Sequence, residues 1–125
     1  MNIPQDLKYT KEHEWAKIEG KVATIGITDH AQSELGDIVF AELPDVGKEF
    51  KQMQEFGVVE SVKTVSNLYS PLSGKVISKN DDVVKTPEKV NQDPYGSGWL
   101  IKIEMQNEGE IEKLLTADKY KGIIA

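Results

Sequence analysis

The stretch that decides the fold is GVVESVKTVS, residues 57–66. Its valines favour extended chain on both sides of residues 61–64, where the chain is expected to reverse direction. That reversal contains none of the Gly, Pro, Asn or Asp residues that usually form hairpin turns. It does contain Lys63, whose amine would be exposed at the tip and able to act as a nucleophile. Lys63 is therefore a candidate for covalent modification, with an ordinary solvated loop lysine as the alternative.

Short strand-like runs separated by turn residues dominate the rest of the chain. They alternate apolar and polar residues, as strands do in a sheet with one solvated face. A faint internal echo, GKV at 20–22 and again at 74–76, introduces two halves of chain with Lys63 between them. The pattern predicts a mainly β protein with two facing antiparallel sheets. The runs cover residues 15–18, 21–27, 37–43, 55–60, 75–78 and 99–104.

Two segments have helical signals. Residues 28–35 begin with a capping threonine and an acidic first turn and are followed by glycine, which predicts a short helix. Asn107 and Glu110 have the spacing of a capping box, so a C-terminal helical tail is expected over about 107–123. Its apolar stripe at helical spacing consists of Ile111, Leu114 and Leu115. We expect this tail to pack on the sheets of a single domain spanning residues 1–125.

Composition excludes several classes of function. Fifteen basic and 21 acidic residues give a formal charge of −6, which opposes binding to nucleic acid and to anionic membranes. There is no cysteine, so neither a disulfide nor a thiolate site is available, and no metal-spaced histidine set occurs. The chain starts at methionine without a signal or transit segment and has no run of membrane-spanning length. We expect a monomer in the bacterial cytoplasm, or in mitochondria if this is the mature form of an organellar protein.

Several motifs in one order resemble a known family. Residues 57–63, GVVESVK, followed by LYSPLSGKV at 68–76, resemble the lipoyl-attachment region of the glycine cleavage system H proteins. The resemblance extends over nearly the whole chain. Its other motifs are HEW at 13–15, ATIGITDHAQ at 23–32, LGDIVF at 35–40, ELP at 42–44 and PYGSGWL at 94–100.

The resemblance implies a carrier with the lipoyl/biotinyl-like barrel-sandwich hybrid fold. Lipoate would be attached covalently to Lys63 as lipoyl-lysine. The arm would shuttle an aminomethyl intermediate from a PLP-dependent glycine decarboxylase to a tetrahydrofolate-dependent aminomethyltransferase. The resulting dihydrolipoyl arm would then go to dihydrolipoyl dehydrogenase for reoxidation. Lipoate-attaching enzymes would be further partners, and the chain itself would catalyse no step.

The same resemblance implies roles for four more residues. Glu14 and His30 occupy matching motif positions and are candidates for polar groups of a cleft that shelters the loaded arm. Glu60 and Ser61 precede the lysine on the exposed hairpin and are candidates for recognition by a lipoate-attaching enzyme. Solvated surface side chains are the alternative for each. No metal ligand is expected.

Three other functions remain open at this point. A biotinyl domain or the lipoyl domain of another multienzyme system would also present a lysine on a hairpin, but the flanking residues here are Val62 and Thr64, where Met-Lys-Met or Asp-Lys-Ala would be expected. An independent enzyme would need more than Asp29 beside His30, since adjacent helical residues do not face each other. A lipoate relay protein would have the same loop chemistry.

Overall fold

A computed structural model describes all residues, 1–125. Nine strands form two antiparallel sheets, which confirms the fold predicted from the alternating pattern. The sheets stay open and do not close into a barrel. The strands are β1 Lys8–Tyr9, β2 Glu14–Glu19, β3 Val22–Ile27, β4 Ile38–Glu42, β5 Glu49–Phe50, β6 Glu55–Ser61, β7 Val65–Tyr69, β8 Gly74–Lys79 and β9 Ile101–Met105. The helices are α1 Asp29–Leu35, α2 Asp81–Lys85, α3 Lys89–Gln92, a 3₁₀ helix Glu108–Lys113, and α4 Ala117–Ile124.

The larger sheet has the order β1-β2-β3-β9-β8-β5, and the smaller sheet has the order β4-β6-β7. The hydrophobic core lies between them. In β9 it is supplied by Ile101, Ile103 and Met105, which alternate with the more exposed Lys102 and Glu104. Burying each of these apolar side chains contributes about 1.5–3 kcal/mol, so the period-2 pattern fixes which face of the strand turns inward.

A second apolar cluster attaches α4 to the outer part of the large sheet. Tyr120 stacks on Tyr9 with ring centroids 4.7 Å apart, and both side chains are fully buried. Trp15 is also buried, and its indole N–H donates to the carbonyl oxygens of Ile27 and Pro94. A Cβ on Gly26 would lie 2.7 Å from the Trp15 ring, so only glycine lets the indole lie flat on β3.

Helix α1 forms as its end signals predict. The side chain of Thr28 accepts a hydrogen bond from the N–H of Ala31, satisfying one free donor of the first turn. Gly36 ends the helix with φ 81° and ψ −163°, and its N–H donates to the carbonyl of Gln32. This backbone conformation is not helical, and essentially only glycine adopts it, so the helix ends before Gly36.

The C-terminal tail is helical, as predicted, and it is divided into a 3₁₀ helix and α4. Asn107 does cap a 3₁₀ helix, accepting from the N–H of Gly109. Glu110 does not close a capping box, because its carboxylate accepts from the N–H and hydroxyl of Ser73 at 2.8 and 2.7 Å. Leu115 pairs with Tyr9 in a β-bridge, so α4 begins afresh at Ala117 behind a Thr116 cap. Pairing with β1 therefore breaks the predicted helix in two.

Candidate functional site

The hairpin of β6 and β7 has its reversal at residues 61–64, as the sequence predicts. The Ser61 N–H donates to the Thr64 carbonyl at 2.8 Å. The Ser61 hydroxyl accepts from the N–H groups of Lys63, at 3.3 Å, and Thr64, at 3.1 Å, and lies 3.2 Å from the Thr64 carbonyl. The Ser61 side chain thus supplies hydrogen bonds to the backbone of the turn. In most hairpins the conformational preferences of Gly or Asn stabilise the turn instead. This explains how a tip without the usual turn residues is built.

The tip is also attached to the end of α1. The N–H of Val62 donates to the carbonyl of Asp37 at 3.0 Å. The Lys63 side chain then runs over Gly36, where an added Cβ would lie 3.4 Å from its Cε and 4.0 Å from its Nζ. Lys63 is exposed and takes part in none of the ion pairs of the structure. Its amine is therefore fixed at its base and accessible at its end.

A surface groove of about 350 Å³ lies between α1 and the hairpin. Leu35, on its wall, directly precedes the glycine under the Lys63 stem, and Ser66, also on the wall, is three residues from Lys63. The groove therefore opens beside the lysine. Its lining residues are Glu12, His13, His30, Ala31, Glu34, Leu35 and Ser66.

Two histidines meet on the wall of this groove. The rings of His13 and His30 have centroids 4.8 Å apart. His13 Nδ1 lies 2.8 Å from the Tyr120 hydroxyl, which lies 2.7 Å from Thr28 Oγ1. Burial first, and the neighbouring His30 second, hold the pKa of His13 below its usual value. A chain of polar contacts thus links the groove to the N-terminus of α1 through the C-terminal helix.

Glu14 is buried and does not line the groove. The residue is 1% exposed, with its carboxyl oxygens 2.6 Å from Thr10 Oγ1 and 3.2 Å from the N–H of Tyr69. Burial raises the pKa of Glu14 to about 8 despite these hydrogen bonds, so the carboxyl is protonated at neutral pH. Because Tyr69 is in β7 and Glu14 is in β2, this side chain also joins the two sheets.

The sequence-predicted site residues therefore fall into separate environments. His30 lines the groove, Glu14 is buried and outside the lining, and the Lys63 stem runs over Gly36, next to the groove residue Leu35. Glu60 is exposed on the outer face of the small sheet, whereas Ser61 is buried and occupied by the turn.

Sequence reasoning missed several groove residues. His13 stands in the same HEW motif as Glu14, but it precedes β2 with a φ of 71°, so no strand pattern indicates the direction of its ring. No signal in the sequence marks Tyr120 as a partner of His13, since the contact depends on how α4 docks.

The structure contains no cluster of side chains with the arrangement of a metal site. None of its helices combines the length and the apolar character that a membrane span requires.

Known proteins resemble this chain over almost its full length. The family model described as "Glycine cleavage H-protein" matches residues 7–125. A glycine cleavage system H protein of Symbiobacterium thermophilum is 57% identical over 119 residues, covering 95% of this chain and 93% of that protein. One from Carboxydothermus hydrogenoformans is 54% identical over 122 residues, covering 98% and 94%.

The fold leads to the same family. The crystal structure of a glycine cleavage system H protein from Mycobacterium marinum superimposes with a TM-score of 0.89 at 40% identity, covering 96% of this chain and 97% of that one. The residues matched by the family model, 7–125, include both sheets and the hairpin that presents Lys63. The chain belongs to the glycine cleavage H-protein family, the lipoyl carriers of the glycine cleavage system.

Proposed function

We propose that Lys63 carries lipoate in amide linkage and that this chain is the mobile-arm shuttle of glycine decarboxylation. The observation that supports it most is the position of Lys63, exposed at a tip that Ser61 and Asp37 fix, with its stem over Gly36 and next to the groove residue Leu35. The residues fit such a group, because the amine is free to be acylated and the groove offers space beside it. When attached, the lipoyl group supplies a dithiolane that can accept a carbon unit and two electrons.

Attachment changes the charge of the tip. Lys63 Nζ would hold the lipoyl group through an amide bond, formed when the amine displaces the leaving group from an activated carboxyl carbon and gives up a proton. Acylation removes one positive charge, so the formal charge falls from −6 to about −7. Tethering then gives each partner enzyme a high effective concentration of the bound group without release into solvent.

The groove supports a second role, protection of the loaded arm from water. Ala31 and Leu35 give it apolar surface, while His30 and Ser66 provide polar groups along the same wall. A cation brought close to the groove would favour the ionised form of Glu14, since an opposite charge lowers a carboxyl pKa raised by burial. The Glu14 carboxyl would then lose its proton when a cationic arm occupies the groove, while His30 would contact the arm at the surface.

The partners follow from this role. We propose that the chain exchanges its arm with glycine decarboxylase, aminomethyltransferase and dihydrolipoyl dehydrogenase, and that a lipoate-attaching enzyme loads it. It would catalyse no step alone. We also propose that it acts as a monomer in the bacterial cytoplasm. The known function of its family supports the first of these proposals.

Reconstitution tests the proposal. Lipoylated protein, mixed with the three enzymes, glycine, tetrahydrofolate and NAD, should support NADH formation. No turnover should occur when any partner is left out. The Lys63→Arg variant should support none, whereas Lys85→Arg, which changes an exposed lysine of α2, should match the unaltered protein. Full turnover with Lys63→Arg would refute the assignment, and lipoyl transfer to other proteins without glycine turnover would indicate a relay.

A further inference from the structure

We propose that the outer face of the small sheet is the docking surface for the enzyme that acylates Lys63, with Phe40 as its apolar anchor. This inference rests on the proposed function. The face carries a cluster of exposed apolar side chains next to the lysine, called here the tip patch. It consists of Val39, Phe40, Val62 and Val65.

A β-bulge creates this exposure. In β4, Ile38 pairs with Ser61 and Phe40 pairs with Glu60, so Val39 is an extra residue without its own partner. Strict alternation from the buried Ile38 would turn Phe40 inward, but the bulge reverses the phase and leaves both Val39 and Phe40 exposed. The strand then resumes with Ala41 buried. The bulge therefore places an aromatic side chain on the surface, where its apolar area stays exposed to water and contributes less to stability than it would in the core.

The strand register brings the patch together around one carboxylate. Phe40 pairs across β4 and β6 with Glu60, and Glu60 pairs across β6 and β7 with Val65. Residues directly opposite each other on one face have Cβ atoms about 4.5–5.5 Å apart, so the three side chains form a continuous row. Val62 directly precedes Lys63 in the turn that joins β6 to β7. An acidic side chain is thus bordered by apolar surface on the hairpin, three residues before the lysine.

The acylating enzyme must cover this row. Bond formation needs its activated carboxyl group about 3–3.5 Å from Lys63 Nζ, before any long arm exists to bridge a gap. A specific interface covers about 800 Å² on each partner, whereas three strands about 4.8 Å apart span only about 10 Å. A footprint centred on Lys63 therefore includes the tip patch. Enzymes that act on the lipoylated protein need not approach Lys63 Nζ so closely, because the lipoyl arm extends away from the protein surface.

The chemistry of the face indicates what the partner presents. Glu42 and Glu60 are both exposed on it, and Asp37 is exposed where the tip meets α1. The fitting surface would offer an apolar pocket for Phe40, with cationic side chains around it to pair with these carboxylates. Aromatic residues are frequent anchors in such pockets. A second copy of this chain would bring the same carboxylates together and is disfavoured by like-charge repulsion.

Acyl-transfer kinetics on purified unmodified protein test the proposal. Phe40→Ser and Val65→Ser should lower kcat/KM for lipoyl transfer, in the presence of ATP and lipoate, at least about tenfold for Phe40, mainly through KM. Ile77→Ser is the matched control: Ile77 is 42% exposed, comparable to Phe40 at 45%, but lies on β8 of the other sheet. It should leave kcat/KM within about twofold of the unaltered value, as surface changes away from an interface do.

Two further measurements, acetylation and sedimentation, help to separate the possible outcomes. Acetylation of Lys63 by acetic anhydride should be equal in all variants, which would show that the amine and the tip are unchanged. Equal enzymatic kcat/KM for Phe40→Ser and the unaltered protein would overturn the inference while leaving the proposed function intact. Absence of transfer to the unaltered protein would instead refute the proposed function. Sedimentation that shows a dimer dissociated by Phe40→Ser would reassign the patch to self-association and also overturn the inference.

Discussion

Gly36 lies directly under the stem of Lys63, with an added Cβ only 3.4 Å from Lys63 Cε. This glycine ends α1 with a positive φ and, through its neighbour Asp37, adjoins the backbone contact that holds the hairpin tip. The same glycine therefore ends the helix and lies against the lysine side chain. Changes at Gly36 should act on both stability and the position of the amine.

We expect Gly36→Ala to lower the free energy of unfolding by about 1–3 kcal/mol, because its backbone conformation is unfavourable for any residue with a Cβ. Urea unfolding measures the change. Gly122→Ala in α4 is the control of opposite sign, since no atom lies within 4 Å of its added Cβ and alanine favours a helix by about 0.5–1 kcal/mol. An unchanged stability for Gly36→Ala would show that the strain is not present.

Glu14 should make stability depend on pH. Its pKa is raised from 4.5 to about 8 in the folded protein, so the folded state holds the proton more tightly than the unfolded state. The stabilisation is complete below about pH 4.5 and is lost as pH rises through about 8. Glu14→Gln should remove this loss, which is on the order of a few kcal/mol at about 1.4 kcal/mol per pKa unit. Chemical unfolding between pH 4.5 and 9 measures it.

The matched control for Glu14 is Glu19→Gln, which changes an exposed carboxylate at the other end of β2. It should keep the pH dependence of the unaltered protein. Parallel curves for Glu14→Gln and the unaltered protein would mean that the buried carboxyl does not titrate in this range.

Ser61→Ala should loosen the hairpin tip. The N–H groups of Lys63 and Thr64 would lose the hydroxyl that accepts from them, at a cost of about 1 kcal/mol. Amide hydrogen exchange at residues 62–64 should become faster, while exchange in β9 follows only the global change in stability. Ser66→Ala, whose hydroxyl makes one weak contact of 3.4 Å, should leave exchange at the tip unaltered. Equal exchange in both variants would contradict this account of the turn.

His30→Ala should raise the pKa of His13, because the neighbouring ring that lowers this pKa is removed. Burial is the larger cause and remains, so the pKa should stay below its usual value. NMR titration of the His13 ring measures the change. Glu34→Gln serves as a comparison with the opposite direction, since Glu34 raises the pKa of His13. A His13 titration that is identical in His30→Ala would exclude coupling between the rings.

Local patterns were enough to predict the elements that local chemistry controls. The alternation in residues 101–105 specifies a strand with one buried face, and Thr28 and Gly36 define the ends of α1. The reversal at 61–64 was predictable from strand patterns on both sides, although the device that builds it, the Ser61 hydroxyl, was not recognised. These signals need no knowledge of distant residues.

The remaining features depend on contacts between distant parts of the chain. Leu115 has helical spacing, but pairing with Tyr9 removes it from a helix. The short helices α2 and α3 were missed because they are one turn long and carry little periodicity. Glu14 is buried because β7 lies close to β2, and no local sequence pattern indicates this contact. The bulge at Val39 likewise appears only once β4 pairs with β6.

The attachment of lipoate is tested most directly by the mass of the protein, purified after production with a lipoate-attaching enzyme and lipoate. We expect an increment of one lipoyl group per chain, located by fragmentation on the peptide that contains Lys63 and absent from Lys63→Arg. Protein that stays at its unmodified mass, or that carries the group on another lysine while Lys63 is free, would contradict the account.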